Sequence, residues 1–261
     1  MHIALNYPVV FVHGIIANDR EGIINFWGRI PERLSNMGVQ VFFGNTDAWG
    51  DYESNALILK ETIEKILLET GKEKVNIIAH SKGGLDSRYL IWRYDFGGKI
   101  ASLTTIGTPH HGSEIADLIY NQKLVHTKVS KNALALYGKL SRDINPDIYR
   151  VNYQLTTMYM KEFNEKAIPD DRVYCQSFYT TMRNAFDDRL FLHLFLYIRE
   201  IAGANDGLVS VHSTSWGSRH ERIARGVSHS EILDLKRRKI SGVDIPGVYI
   251  RIVRDLAEKG Y

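Results

Sequence analysis

The chain has 261 residues, 44% apolar and 24% charged, which suits a sizeable globular fold and excludes a disordered or fibrous one. A net charge of +3, with no run rich in lysine or arginine, speaks against nucleic acid as a partner. One cysteine, Cys175, excludes an intrachain disulfide, and no uncharged apolar run is long enough to cross a bilayer.

Taken in order, Pro8-Val9-Val10-Phe11-Val12 predicts a short buried strand, left by the turn His13-Gly14-Ile15-Ile16. Pro31 suits the first turn of a helix through Glu32, Arg33 and Leu34, closed near Gly38. Val39 to Phe43 reads as a second strand. Residues 54–70 place Leu59, Ile63, Ile66 and Leu67 on one helical face, with Gly71 as the stop. Val75 to Ala79 is again strand-like, followed by His80-Ser81-Lys82-Gly83-Gly84 and a helical segment from Leu85 to Trp92. Ala101 to Ile106 is a further strand, ending in Gly107-Thr108-Pro109-His110-His111-Gly112.

This alternation predicts an α/β fold with a mostly parallel central sheet and helices on both faces. It breaks over residues 113–170, which hold helix-like pieces and no clear strand. Tyr120, Leu134, Leu136, Tyr137 and Leu140 give an apolar face there, either a helical patch on the core or a lid, with Lys128, Lys131 and Arg142 on the outer side. Arg172 to Tyr179 resumes as a strand, with Cys175 a buried, inert thiol. Leu190 to Ile198 is the most apolar run, read as core packing or as the lining of an acyl-chain site. Gly207 to Ser210 is strand-like, and a helix from Val248 to Glu258 closes the chain. The expected organisation is a single domain over residues 1–261 carrying an insertion at about 113–170. No N-terminal stretch resembles a signal peptide, so the expected location is cytoplasmic, or outside the cell as a mature form whose leader has been removed.

The chemistry centres on Ser81. A strand running into a serine and then directly into a helix is the context of a nucleophile elbow, whose tight turn tolerates only small residues two positions away. Ala79 and Gly83 hold those positions. A serine hydroxyl needs a neighbouring base, and the base needs a group that fixes its tautomer. In this topology the chain order is serine, acid, histidine. Asp206 precedes the strand-like Gly207 run, and three of the ten histidines follow it. His212 is too near Asp206 and is expected on its strand. His220, among Arg219, Glu221 and Arg222, is expected in solvent. His229 remains as the base. The oxyanion of the tetrahedral intermediate would take backbone N–H groups from Lys82 and, in the loop after the first strand, from Ile15. His13 then fixes that loop, while His80, Lys82, His110 and His111 read as surface polar side chains.

Five segments together carry a resemblance: Val10-Phe11-Val12-His13-Gly14, Phe26 to Pro31, Val75 to Gly84, Thr104 to Ser113, and Ala204-Asn205-Asp206-Gly207-Leu208-Val209. In this order the chain resembles the bacterial true lipases of the alpha/beta-hydrolase superfamily, in particular the Pseudomonas/Burkholderia type. The resemblance implies the alpha/beta-hydrolase fold with a helical lid, and an ester hydrolase with Ser81 as nucleophile, Asp206 as acid and His229 as base. Ala79 stands where that type has glycine and is similar to Bacillus-type lipases, as is a glutamate two residues after the histidine. The family's structural calcium would fall to Glu231 with Asp187 or Asp188; no cofactor is otherwise required, and no Cys/His spacing suggests zinc. The expected substrate is an acyl-ester lipid, with a lipid–water interface as a candidate place of encounter and a lipase on acylglycerols as the first reading. An esterase on short or soluble esters is the second, and a catalytically dead binding protein of the same fold is the alternative from another class. The oligomeric state is not legible.

Overall fold

The computed structural model describes residues 2–15, 26–121 and 143–261. Six strands form one sheet in the order β2-β1-β3-β4-β5-β6, every neighbouring pair parallel. The strands are β1 (Val9–Val12), β2 (Val41–Phe43), β3 (Val75–His80), β4 (Ile100–Ile106), β5 (Tyr174–Thr181) and β6 (His220–Arg225). Eight α-helices accompany them among the described residues: α1 (Ile30–Ser35), α2 (Tyr52–Thr70), α3 (Lys82–Arg93), α4 (Glu114–Asn121), α5 (Ile148–Gln154), α6 (Thr157–Lys166), α7 (Leu192–Ala202) and α8 (Ile245–Glu258).

The two faces of the sheet follow from strand alternation. Val10 and Val12 with Val75, Ile77 and Ala79 pack under α2 and α3, against Leu59, Ile63, Leu85 and Leu90. Val9, Phe11 and Ile78 point the other way, into Trp27, Ile30, Leu34, Tyr249 and Val253 of the α1–α8 side. Because both faces are covered, every residue of β1, β3 and β4 is buried; β1 is apolar throughout, while β3 and β4 also bury Asn76, His80, Ser102, Thr104 and Thr105. Helix α2 begins where the Asp51 carboxylate accepts the Ser54 N–H at 2.8 Å and ends at Gly71, whose φ of 66° only glycine adopts freely. Burying a side chain such as Leu59 or Ile63 contributes about 1.5–3 kcal/mol, and Leu59→Ala would cost about 2–5 kcal/mol because a cavity remains.

Three sequence expectations need correcting. Residues 207–210 are a turn, not a strand; the last strand is β6, ten residues later, and His212 lies in a turn. Strand β6 escapes an apolar pattern because it is an edge, with His220, Glu221 and Arg222 exposed, and a charged edge resists pairing with another sheet. The run Leu190 to Ile198 is mostly helix α7, burying Phe195 and Ile198 but leaving Leu190 76% and Leu196 50% exposed, so core packing accounts for only part of it. Within 113–170 the described residues are helices α4, α5 and α6, with Tyr120 against Tyr149 and Tyr153. Lys128, Lys131, Leu134, Leu136, Tyr137, Leu140 and Arg142 lie outside the described residues.

A parallel sheet gathers the carboxyl ends of its strands on one edge, where α/β folds bind their ligands. The loops after β1, β3, β4 and β6 carry His13 to Ile15, Ser81, Gly107 to Gly112 and His229, respectively; Asp206 lies between α7 and β6, where Asn205 O accepts the Met182 N–H at 3.0 Å just past the end of β5.

Candidate active site

Ser81 is the single residue between β3 and α3, and its backbone sits at φ 53°, ψ −130°. A non-glycine residue there costs about 1–3 kcal/mol and persists only where its surroundings enforce it. Its N–H donates to Ile106 O at 2.9 Å, continuing the β3–β4 ladder, while Thr108 Oγ1 donates to its carbonyl at 2.7 Å. The turn closes on glycine. A methyl on Gly83 would run into the carbonyl oxygens of Val12 and His13, and one on Gly14 would lie 2.7 Å from Ser81 Cβ. The steric reading of the elbow therefore has a concrete cause: the loop after β1 lies directly against it.

That loop brings Ile15 next to Gly14, and Lys82 opens α3, where the first N–H groups have no intrahelical acceptor. His13 is buried, its ring nitrogens 2.6 Å from Gly14 O and 3.0 Å from Thr46 O, which suits a loop-fixing role.

Asp206 and His229 meet as a buried pair, with His229 Nδ1 donating to Asp206 Oδ2 at 2.7 Å. The other carboxylate oxygen accepts the Leu208 and Val209 N–H groups at 3.0 and 2.8 Å, which fixes the carboxylate plane. The His229 N–H donates back to Asp206 O at 2.9 Å. Nδ1 is thus the protonated nitrogen, and Nε2 carries the lone pair. Gly107, at φ 61° just past β4, passes so close that a Cβ would lie 3.2 Å from His229 Nδ1. The remaining contact, Ser81 Oγ to His229 Nε2, is not closed as a hydrogen bond in this structure; catalytic hydrogen bonds are often long without substrate and tighten with it.

Three residues read as surface polar are buried: His80, Lys82 and His110 are at most 3% exposed, and only His111 of the four is in solvent. The physical reason is the two-sided burial of β3 and the packing of α3 upon it. His80 donates from Nε2 to the His229 carbonyl at 3.0 Å, with ring centroids 4.6 Å apart, so it holds the His229 backbone. Burial and the neighbouring His229 push its pKa well below the usual histidine value, so it is neutral. His110 accepts at Nδ1 from Arg88 and is likewise held neutral by burial beside that guanidinium. Arg88, packed between the rings of Phe163 and Trp216, is lowered to about 10 by desolvation and also donates to Asn164 and Ala167. Lys82 pairs with Asp86 at 2.7 Å, a contact legible in its i,i+4 spacing. No pattern in the sequence marks His80. His220 is exposed on β6, as expected, away from the Asp206–His229 pair.

The calcium residues do not fit a metal. Glu231 is paired with Lys236 and accepts the Ser228 N–H at 3.0 Å; Asp188 accepts Ser228 Oγ at 2.6 Å and the Leu190 N–H; Asp187 is paired with Arg183. Each carboxylate thus has a cation or N–H/O–H donors of its own, and no cluster of three metal-binding side chains occurs among the described residues. Cys175 is buried in β5, its thiol pushed up to about 12 by burial and hence unreactive. Among the described residues no helix is long and apolar enough to cross a membrane.

Comparison with known proteins adds three findings. Residues 8–181 match the family described as palmitoyl protein thioesterase. Triacylglycerol lipase 2 of Saccharomyces cerevisiae is 32% identical over 91% of this chain and 75% of its own length, and the triacylglycerol lipase of Burkholderia plantarii is 32% identical over 62% of this chain and 48% of its own. The chain thus spans three quarters of the yeast relative and about half of the bacterial one. Staphylococcus hyicus lipase superposes with a TM-score of 0.76 at 18% identity, covering 98% of this chain and 97% of that one, which shows the fold.

Proposed function

The chain belongs to the lipase family of the alpha/beta-hydrolase superfamily and is a serine ester hydrolase; on that premise we propose that it hydrolyses acylglycerols through an acyl-enzyme on Ser81, with His229 as base and Asp206 as its orienting acid. The observation that carries the reading is the buried Asp206–His229 pair at the same sheet edge as a serine at φ 53°. In the proposed sequence His229 Nε2 takes the Ser81 hydroxyl proton as Oγ attacks the ester carbonyl carbon. The carbonyl π electrons move to oxygen, and the oxyanion accepts the N–H groups of Ile15 and Lys82. Collapse expels the alcohol, which receives the proton from His229. Water, deprotonated by the same nitrogen, then releases the fatty acid and restores the hydroxyl.

Part of residues 113–170 serves in this proposal as a lid. Supporting it, the described helical residues of that region expose Leu118, Ile119 and Met158, and α4 packs on α7, itself exposing Leu196 and Ile201. Covering apolar surface in water is favoured by about 25 cal/mol per Å², and contact with lipid would remove that preference. The experiment is hydrolysis of a sparingly soluble ester by wild-type and Ser81→Ala protein, taken through the solubility limit. Activity abolished in the variant supports the site, and a jump in wild-type rate as droplets appear supports a lid over acylglycerol substrates. Plain saturation below the limit would move the reading to an esterase on soluble esters. A wild-type protein that neither turns over any ester nor labels with a fluorophosphonate would make it a binding protein.

A further inference from the structure

The hydrolytic steps leave unused a line of buried polar groups running between the two oxyanion arms. At one end His13 Nε2 lies 3.0 Å from the Thr46 carbonyl. The next residue, Asp47, donates its N–H to Asn55 Oδ1 at 2.9 Å, and Asn55 Nδ2 donates to Asp47 O and to Asp86 Oδ2, both at 2.9 Å. Asp86 receives Lys82 Nζ at 2.7 and 2.9 Å on its two oxygens. Lys82 is the residue whose N–H forms the other arm. Thr46, Asp47, Asn55, Lys82 and Asp86 are each at most 1% exposed.

The same line is fastened to the insertion. Asp47 Oδ2 accepts the N–H groups of Ile144 and Asn145 at 2.9 and 2.7 Å. Asp143 reciprocates, accepting those of Ala48 and Trp49 at 3.0 and 2.8 Å, and the Asp147 N–H donates to Trp49 O at 2.7 Å. Two aspartates thus clasp the returning end of the insertion to the loop that carries Thr46.

We propose that Asp47, Asn55, Asp86 and Lys82 form a positioning bridge that holds the Ile15 and Lys82 N–H donors in register and ties that register to the returning end of the insertion at residues 143–147. The inference rests on the ester-hydrolase reading of the same site. A buried ion pair is a poor source of stability, since apolar residues of similar volume often replace it without loss. An apolar pair would anchor α3 to α2 equally well. It would not accept the Nδ2 hydrogen that Asn55 gives to Asp86, the contact that joins α3 to the amide already held by the Asp47 backbone. Oxyanion donors act only within a few tenths of an ångström of their target, so a device that sets their separation bears on rate more than on substrate affinity.

The test compares wild-type with Lys82→Met/Asp86→Leu, which removes both charges together, and with the half-buried Asp143→Ala at the clasp. Each is measured for kcat and KM on a soluble p-nitrophenyl ester, for inhibition by a trifluoromethyl ketone that forms an oxyanion on the serine, and for melting temperature. Removing one oxyanion donor outright costs about 100- to 1,000-fold in kcat. Displacing one is expected to cost the double variant about 10- to 100-fold and Asp143→Ala about threefold to tenfold, with KM within about twofold and ketone affinity falling in step with kcat. Folded variants with unchanged kcat and ketone affinity, or losses that track melting temperature and KM instead, would overturn the bridge while leaving the hydrolase reading intact. A wild-type protein without esterase activity would overturn both.

Discussion

Ser81 and the Asp206–His229 pair occupy one edge of the sheet but are held there by different means. Ser81 is fixed by regular structure: a fully buried strand, a helix that starts at once, and glycines that let the loop after β1 lie against the turn. Asp206 and His229 stand in irregular loops fixed by side chains: Asp206 on the Leu208 and Val209 N–H groups, and His229 by His80 from below and by the Asp188–Ser228–Glu231–Lys236 line beside it. Strain can be stored in the first region because the core enforces it. The second region lies in loops beyond the ends of β5 and β6, and its precision depends on polar contacts that one substitution can remove.

The largest expected effects test whether the two regions act as one chemical unit. Ser81→Ala and His229→Ala should each lower kcat by about a million-fold, since members of a triad fail together. Circular dichroism should show both variants folded. A tenth of the activity surviving in either would break the assignment. Asp206→Asn should cost less, about 10⁴-fold, because it permits the wrong histidine tautomer while leaving the loop shape.

A weaker effect sharpens the difference in support. Glu231→Gln and Lys236→Met each loosen the line beside Ser228 without touching the catalytic groups. About a tenfold loss of kcat is expected, the lower end of what outer-shell partners contribute. A chelator should leave wild-type rates unchanged, because lysine and arginine already neutralise Glu231 and Asp187. Chelator-sensitive activity restored by calcium would reverse that part of the comparison.

The same division decides what could be read from the sequence. The elbow was legible because its constraints are local: an apolar run, small residues at 79 and 83, a helix pattern after them. Strands β1 to β5 were legible by the same periodicity, and α8 by its spacing. Asp206 and His229 were reached by chain order and by elimination among three histidines, yet the supposed strand after Asp206 is a turn, and β6 was missed because an exposed edge strand has no apolar alternation. His80, Lys82 and His110 looked like surface residues because polarity is a one-dimensional cue, whereas two-sided burial is a property of the assembled sheet. The Asp47–Asn55–Asp86–Lys82 line joins three separate segments, and only the Lys82–Asp86 spacing could have shown in the sequence.

The smallest predicted effect concerns acid stability and compares one buried histidine from each region. His80 belongs to the support of His229; His110 is joined through Arg88 to α3, which follows Ser81. Both have pKa values well below 6.5, chiefly through burial. Their neutral state is therefore native, while the unfolded chain protonates them near the ordinary value of about 6.5. Above that pH the two states bind the same number of protons, and the histidines contribute no pH dependence. As pH falls below it, the unfolded state takes up protons that the folded state refuses, so stability is lost with falling pH until the depressed folded values are reached. Each histidine adds a slope approaching about 1.4 kcal/mol per pH unit well below 6.5, in a window above the range where carboxylates titrate. Urea unfolding at pH 7, 6 and 5 reads this directly. Wild-type stability should fall over the window, and His80→Gln and His110→Gln should each flatten the fall even if they lower stability at pH 7. His110 has the sharper case, because a proton on it would face the Arg88 guanidinium at 3.1 Å. A wild-type curve flat from pH 7 to 5 would mean that the two rings take up protons as readily in the folded state as in the unfolded chain, and the neutral His80 beside His229 would have to be abandoned.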